Sequence, residues 1–207
     1  MAADLEKLAT YYTNKGNAPR ANFYSALAAE ERASGTPETF LETLVLPEGV
    51  IRLPDLTIGG VKPKDLEKAL GNRVSDYARD LLRSKDFITL PRQQVISPII
   101  ATPSVMGLIG TPTTEQIYER ADKLNWDLCP AEVGPHLVIA FNNKPTYKDL
   151  PIKLPIWIGM KQIADRYGSP RVFLLDRRDD GLWGNARWAR PTFQWDPTSQ
   201  LVFSLRK

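Results

Sequence analysis

The sequence predicts an α+β protein: an N-terminal helical region, then a mixed, mostly antiparallel β domain with one main helix. Three observations carry that expectation. Leu66, Leu70, Val74, Tyr77 and Leu81 fall at helical spacing and form the clearest periodic stripe in the chain. Short apolar runs of strand character, punctuated by turn residues, dominate the second half. All five tryptophans (Trp126, Trp157, Trp183, Trp188 and Trp195) lie in that half. The predicted division is a helical region over 1–86, an extended Pro-rich connector over 87–112 and a Trp-rich α+β domain over 113–207.

The elements follow in order. Leu5, Leu8 and Tyr12 share one face of a first helix that Gly16-Asn17 stops, and Pro19 opens a second carrying Phe23, Leu27 and Glu31. Thr36-Pro37 reads as an N-cap with proline at the first helical position of a short helix through Phe40 and Leu44. Residues 47–62 read as a loop with one or two short strands, and Pro63–Ser84 as a helix that Gly71-Asn72 can kink or split. Phe87–Pro112 reads as extended chain able to supply an edge strand. Thr113 and Gln116 fit a capping box for a helix bearing Ile117, Ala121 and Leu124. Beyond it, Leu137–Phe141, Ile156–Ile163, Arg171–Asp176, Leu182–Trp188 and Leu201–Leu205 read as strands, with Asp180-Gly181 as a two-residue hairpin turn.

Composition narrows the function classes. At 43% hydrophobic and 25% charged residues the chain is not of disordered type. Residues 1–112 carry 13 Lys and Arg against 13 Asp and Glu, whereas 113–207 carry 14 against 11. The excess of positive charge is therefore confined to the second half, where it permits nucleic-acid binding without dictating it. A single cysteine, Cys129, excludes an intrachain disulfide and a multi-cysteine metal site. No basic segment followed by an apolar one opens the chain, and the longest uncharged stretch, Gln93–Thr114, is broken by Pro98, Pro103 and Pro112. A cytoplasmic protein without a membrane span is expected.

Motifs for catalysis are absent: there is no GxGxxG or GxxxxGK[ST] loop, no GxSxG elbow and no HExxH helix. Cys129 and His136, the only histidine, are seven residues apart, and with Glu132 they mark where an enzyme of this sequence would seat its chemistry. The acidic run Asp176–Gly181 lacks EF-hand spacing and contains two arginines. No metal or cofactor is expected. What remains is the interleaving of arginine with aromatic residues near the C-terminus, the two side-chain types most enriched at binding hot spots.

Several runs carry a resemblance. Cys129–Pro135 (CPAEVGP), Trp157-Ile158-Gly159-Met160, Gly181-Leu182-Trp183 and Trp195-Asp196-Pro197 followed by Val202-Phe203 resemble a set of uncharacterised small proteins of uncultivated, ultra-small bacteria, over roughly Val74 to Lys207. The order of helix, loop, short strands and closing C-terminal strand is also similar to the C-type-lectin-like fold, in which the last strand returns beside the first. That similarity implies a recognition domain whose variable surface is Arg177–Thr198. It implies no calcium-dependent sugar site, because Trp183-Gly184-Asn185 stands where that fold links Trp-Asn-Asp to calcium, and disulfides are lacking.

The expected function is a non-catalytic recognition module for a protein or other macromolecular ligand. Its contact residues would be Arg177, Arg178, Asp179, Asp180, Asn185, Arg187, Trp188, Arg190 and Gln194. The arginines would grip carboxylate or phosphate, Trp188 would be the apolar anchor, and Asp179, Asp180, Asn185 and Gln194 the polar rim. A nucleic acid on the same face is the alternative ligand, and an enzyme of unknown class the alternative activity.

Overall fold

In the computed structural model the chain divides into two units, Met1–Leu46 and Pro47–Lys207. The residues described are 2–16, 18–34, 46–147 and 150–206. In the first unit α1 (Ala2–Asn14) and α2 (Ala18–Ser34) pair as a hairpin. Ala9, Ala21 and Ala28 are buried in it, and Tyr12 stacks on Tyr24 with ring centroids 5.3 Å apart. The side chains of Leu5, Leu8, Phe23, Leu27 and Glu31, and the short helix expected after Thr36, lie outside the described residues.

The second unit contains β1 (Ile51–Arg52), β2 (Leu56–Ile58), α3 (Pro63–Leu70), α4 (Asp76–Leu82), β3 (Gln94–Ile96), β4 (Pro98–Ala101) and α5 (Thr114–Lys123). There follow β5 (Trp126–Asp127), α6 (Val133–Asn143), β6 (Ile156–Ile158), β7 (Ile163–Ala164), β8 (Pro170–Arg178), β9 (Gly181–Trp188) and β10 (Gln200–Leu205). Helices and a mixed, mostly antiparallel sheet make this an α+β protein. The main sheet runs β1-β4-β10-β6-β8, with β9 on the far side of β8, while β2 and β3 pair separately. The closing strand β10 is central: it lies antiparallel to β4 and β5 and parallel to β6. No described helix is long and apolar enough to cross a membrane.

Local chemistry accounts for the boundaries. Thr113 and Gln116 form the expected capping box, Thr113 Oγ1 accepting from the Gln116 amide at 3.3 Å and Gln116 Oε1 from the Thr113 amide at 2.8 Å. The helix expected over Pro63–Ser84 is split, because Gly71 adopts a positive φ of 55° that ends α3. Ser75 then caps α4, its side chain accepting from the Ala78 amide at 3.2 Å. Between the two helices Val74 bridges Gly184, which stitches the start of α4 to the outer edge of β9.

Three expectations are corrected. Leu137–Phe141 is not a strand but part of α6. This helix is buried and apolar nearly all round, so it lacks the amphipathic stripe by which a helix is told from a short apolar strand. β4 is an interior strand, flanked by β1 and β10 with all four residues buried. The hairpin turn is shifted by one residue: Arg178 pairs with Gly181, so Asp179 and Asp180 form the turn and Gly181, at φ 128°, opens β9. Helix α6 lies on β8 and β9, and a Cβ on Gly134 would come within 2.7 Å of the Phe173 Cβ. Glycine is what lets helix and strand approach so closely.

Candidate functional site

Alternation along the middle of β8 and β9 assigns residues to two faces, while Arg171 and Trp188 at the strand ends line the groove as well. Phe173 opposite Ala186 and Leu175 opposite Gly184 face α6. On the other face Trp157 of β6, Leu174 of β8 and Asn185 of β9 stand in one row, since Trp157 pairs with Leu174 and Leu174 with Asn185. That row is the floor of an open groove of about 530 Å³.

One wall is built from the loop between β9 and β10. Backbone bonds from Thr114 N to Phe193 O (3.0 Å) and from Trp195 N to Pro112 O (2.9 Å) tie this loop to the start of α5. Trp195 is buried, donates from Nε1 to Thr114 Oγ1 at 2.8 Å, and meets Trp157 and Phe193 edge-on at 4.7 and 5.1 Å. It thus fixes two rings that line the groove.

The opposite wall is Tyr77 of α4 and Trp188 at the end of β9. Between them lies Arg171, its guanidinium 4.5 Å from the Tyr77 ring centroid and 5.5 Å from that of Trp188. Asp165 pins Arg171 through a 2.6 Å bond to Nε, and the pair is buried. Burial pushes the Asp165 carboxyl up, but the Arg171 guanidinium and the Ser169 and Tyr167 amides outweigh it and hold the group below its ordinary range. Ser75 donates to Asn185 Oδ1 at 2.8 Å and so links this wall to the floor.

The structure sorts the predicted contact residues. Asn185, Arg187 and Trp188 line the groove together. Arg178 shares that face, stacked 3.8 Å over Trp183, whose Nε1 donates to Asp180 Oδ1 at 2.6 Å. Arg177 and Asp180 instead line a second pocket of about 360 Å³ with Arg73, Asn142 and Leu182. Asp179 is exposed at the hairpin tip, Arg190 is exposed after β9, and Gln194 is exposed in the loop whose backbone bridges Thr113. Arg177 and Arg178 do not form one clamp, because Arg177 lines the second pocket while Arg178 is stacked on Trp183. Tyr77, Pro155, Trp157, Arg171, Leu174, Asp176, Ala186 and Phe193 complete the groove and were not among the predicted contacts. Tyr77 had a signal of the wrong kind: it sits on the apolar stripe yet is 51% exposed.

Charge pairing divides the arginines. Arg79, Arg83, Arg166, Arg171 and Arg206 all form ion pairs with carboxylates. Among the described residues, Arg177, Arg178, Arg187 and Arg190 have no such partner.

At the segment singled out for possible chemistry, Cys129 is buried and its Sγ donates to Val202 O at 3.7 Å, and burial pushes the thiol well up. That is the reverse of an activated nucleophile. Glu132 is completely buried and accepts from the Gly59 and Leu90 amides at 3.0 and 2.7 Å, with His136 Nε2 at 3.4 Å. Burial raises its pKa, and His136 and the two amides more than reverse that. The carboxylate thus ties two loops to the start of α6. Among the described residues no three His, Cys, Asp or Glu side chains converge as metal ligands.

Fold and site together define an α+β domain with a solvent-open aromatic groove beside unpaired arginines. No family model, no curated protein and no solved structure matches the chain.

Proposed function

We propose that the protein is a non-catalytic recognition module that seats a macromolecular ligand in the groove across β6, β8 and β9. The observation that carries this reading is the exposure of large rings at a pre-organised concave surface. Trp188 is 52% and Phe193 37% exposed, although the domain buries Trp126 and Trp195 to 2%. Aromatic side chains left in the open on a rigid floor, with arginine at the rim, are the composition of a binding hot spot. Arg187 and Trp188 act as grip and anchor. Arg177, which lines the second pocket, takes no part.

That asymmetry supplies the test. Wild type, an Arg187→Ala/Trp188→Ala variant and an Arg177→Ala variant, each shown folded by circular dichroism, are used to capture partners from cell extract with and without nuclease. The expected result is a partner held by wild type and Arg177→Ala and lost by the groove variant. Equal capture by all three proteins would place binding elsewhere.

A further inference from the structure

Three features of the β8–β9 hairpin bear on what seats in the groove, and the inference from them rests on the groove being the binding site. The first is that its unpaired cations are strung out rather than gathered. Arg178 lies opposite Gly181, and Arg187 is six residues further along β9, or roughly 20 Å at about 3.4 Å per residue. Arg190 follows beyond the strand end. A single carboxylate or phosphate needs converging donors, whereas a line of separated guanidiniums matches a polymer with repeated negative charge.

The second feature is the flat rings beside that line. Tyr77, Trp188 and Phe193 each leave at least 37% of their surface exposed, and Trp157 lies half-buried on the floor between them. The third is that much of the outer edge of β9 is already satisfied. The Asn142 side chain donates to Leu182 O at 2.9 Å and accepts from Leu182 N at 3.2 Å. Backbone bonds join Gly184 N to Arg73 O and Ser75 N to Gly184 O, both at 2.9 Å, and Ala186 N donates to Asn185 Oδ1 at 2.8 Å. An extended peptide therefore finds no free amides at these positions to pair with as an added strand. Stacking and charge remain.

We infer that the groove binds single-stranded nucleic acid, its bases stacking on Trp188 and the neighbouring rings and its phosphates meeting Arg187, Arg190 and Arg178. Paired bases keep their faces covered within the duplex, so the rings have nothing to stack on there and single strands are preferred. An acidic peptide is the competing occupant, and the experiment separates the two.

Fluorescence anisotropy with end-labelled oligo-dT and oligo-U of about 20 nucleotides, and with a duplex of equal length, is the direct test. Both single strands should bind more tightly than the duplex. Three phosphate contacts at about 0.7 each predict a slope of log affinity against log salt near −2 between about 50 and 200 mM. Trp188→Ala should weaken binding by between about fivefold and 150-fold, with partial rescue by Trp188→Phe. Arg187→Gln with Arg190→Gln should flatten the slope by about 1.4, and Arg177→Gln should change nothing. Absence of binding to either single strand at low salt overturns the inference, as does binding indifferent to both groove variants. An array of acidic peptides, probed with wild type and Trp188→Ala, tells that failure from failure of the groove. Peptides bound through Trp188 leave the groove standing with a protein ligand, and no binding to either probe removes the groove as well.

Discussion

The two faces of the β8–β9 hairpin are made by the same strands and do different work. Phe173 meets α6 so closely that Gly134 cannot carry a side chain without a clash, and Gly184 lies against Val138 of the same helix. One residue along, Leu174 and Asn185 floor a groove open to solvent. The first face is specified by shape, the second by chemistry. A substitution one position along the strand should therefore change which property is lost, stability or ligand.

The largest expected effect lies on the closed face. Phe173→Ala removes a ring 2% exposed and should cost about 3–5 kcal/mol, read as a lowered urea midpoint at unchanged slope. Next comes the support behind the groove. Asp165→Ala leaves Arg171 as a buried, uncompensated cation and should cost about 3 kcal/mol. It should also loosen the Tyr77–Trp188 wall, seen as a change in tryptophan emission. A loss as large as that of Phe173→Ala with unaltered emission would mean that Asp165 serves the core and not the groove.

A smaller effect follows from pH. Glu132 and Asp165 are both held below their ordinary values of 4.5 and 3.8. A carboxylate with a depressed folded pKa contributes stability that is complete above its ordinary value and lost as pH falls through the lowered one. The urea midpoint should thus be flat above about pH 5 and fall in the acid range below it, and Glu132→Gln should make that fall shallower. The smallest effect on stability belongs to Trp188→Ala, within about 0.5 kcal/mol for so exposed a ring. A substantial loss would show that Trp188 props up the hairpin and is not held open for a ligand.

What the sequence disclosed follows the same division. Strand β9 and the cap of α5 were legible because period-two alternation and a Thr-x-x-Gln box are local signals, and β8 and β10 because short apolar runs bounded by turn residues are another. Helix α6 was hidden because a helix buried and apolar nearly all round has too narrow a polar face to reveal its period. At the site, Arg187 and Trp188 stood out as an arginine and an aromatic residue close in sequence, with Asn185 beside them as polar rim. The opposite wall did not, since Tyr77 arrives from α4 and Arg171 is positioned by Asp165 in the turn before β8. Only tertiary structure brings them together.

Cys129 has a practical consequence. The chain's single thiol sits behind the sheet with its proton held by burial, so the folded molecule offers oxidants and alkylating reagents essentially no thiolate. Its state of assembly should be the same in oxidising and reducing surroundings. A thiol reagent would mark only those molecules that have opened around β10, and its rate would serve as a clock for that opening. A cysteine introduced at the rim of the groove would then be the one reactive handle on the folded surface, ready for a dye or a crosslinker.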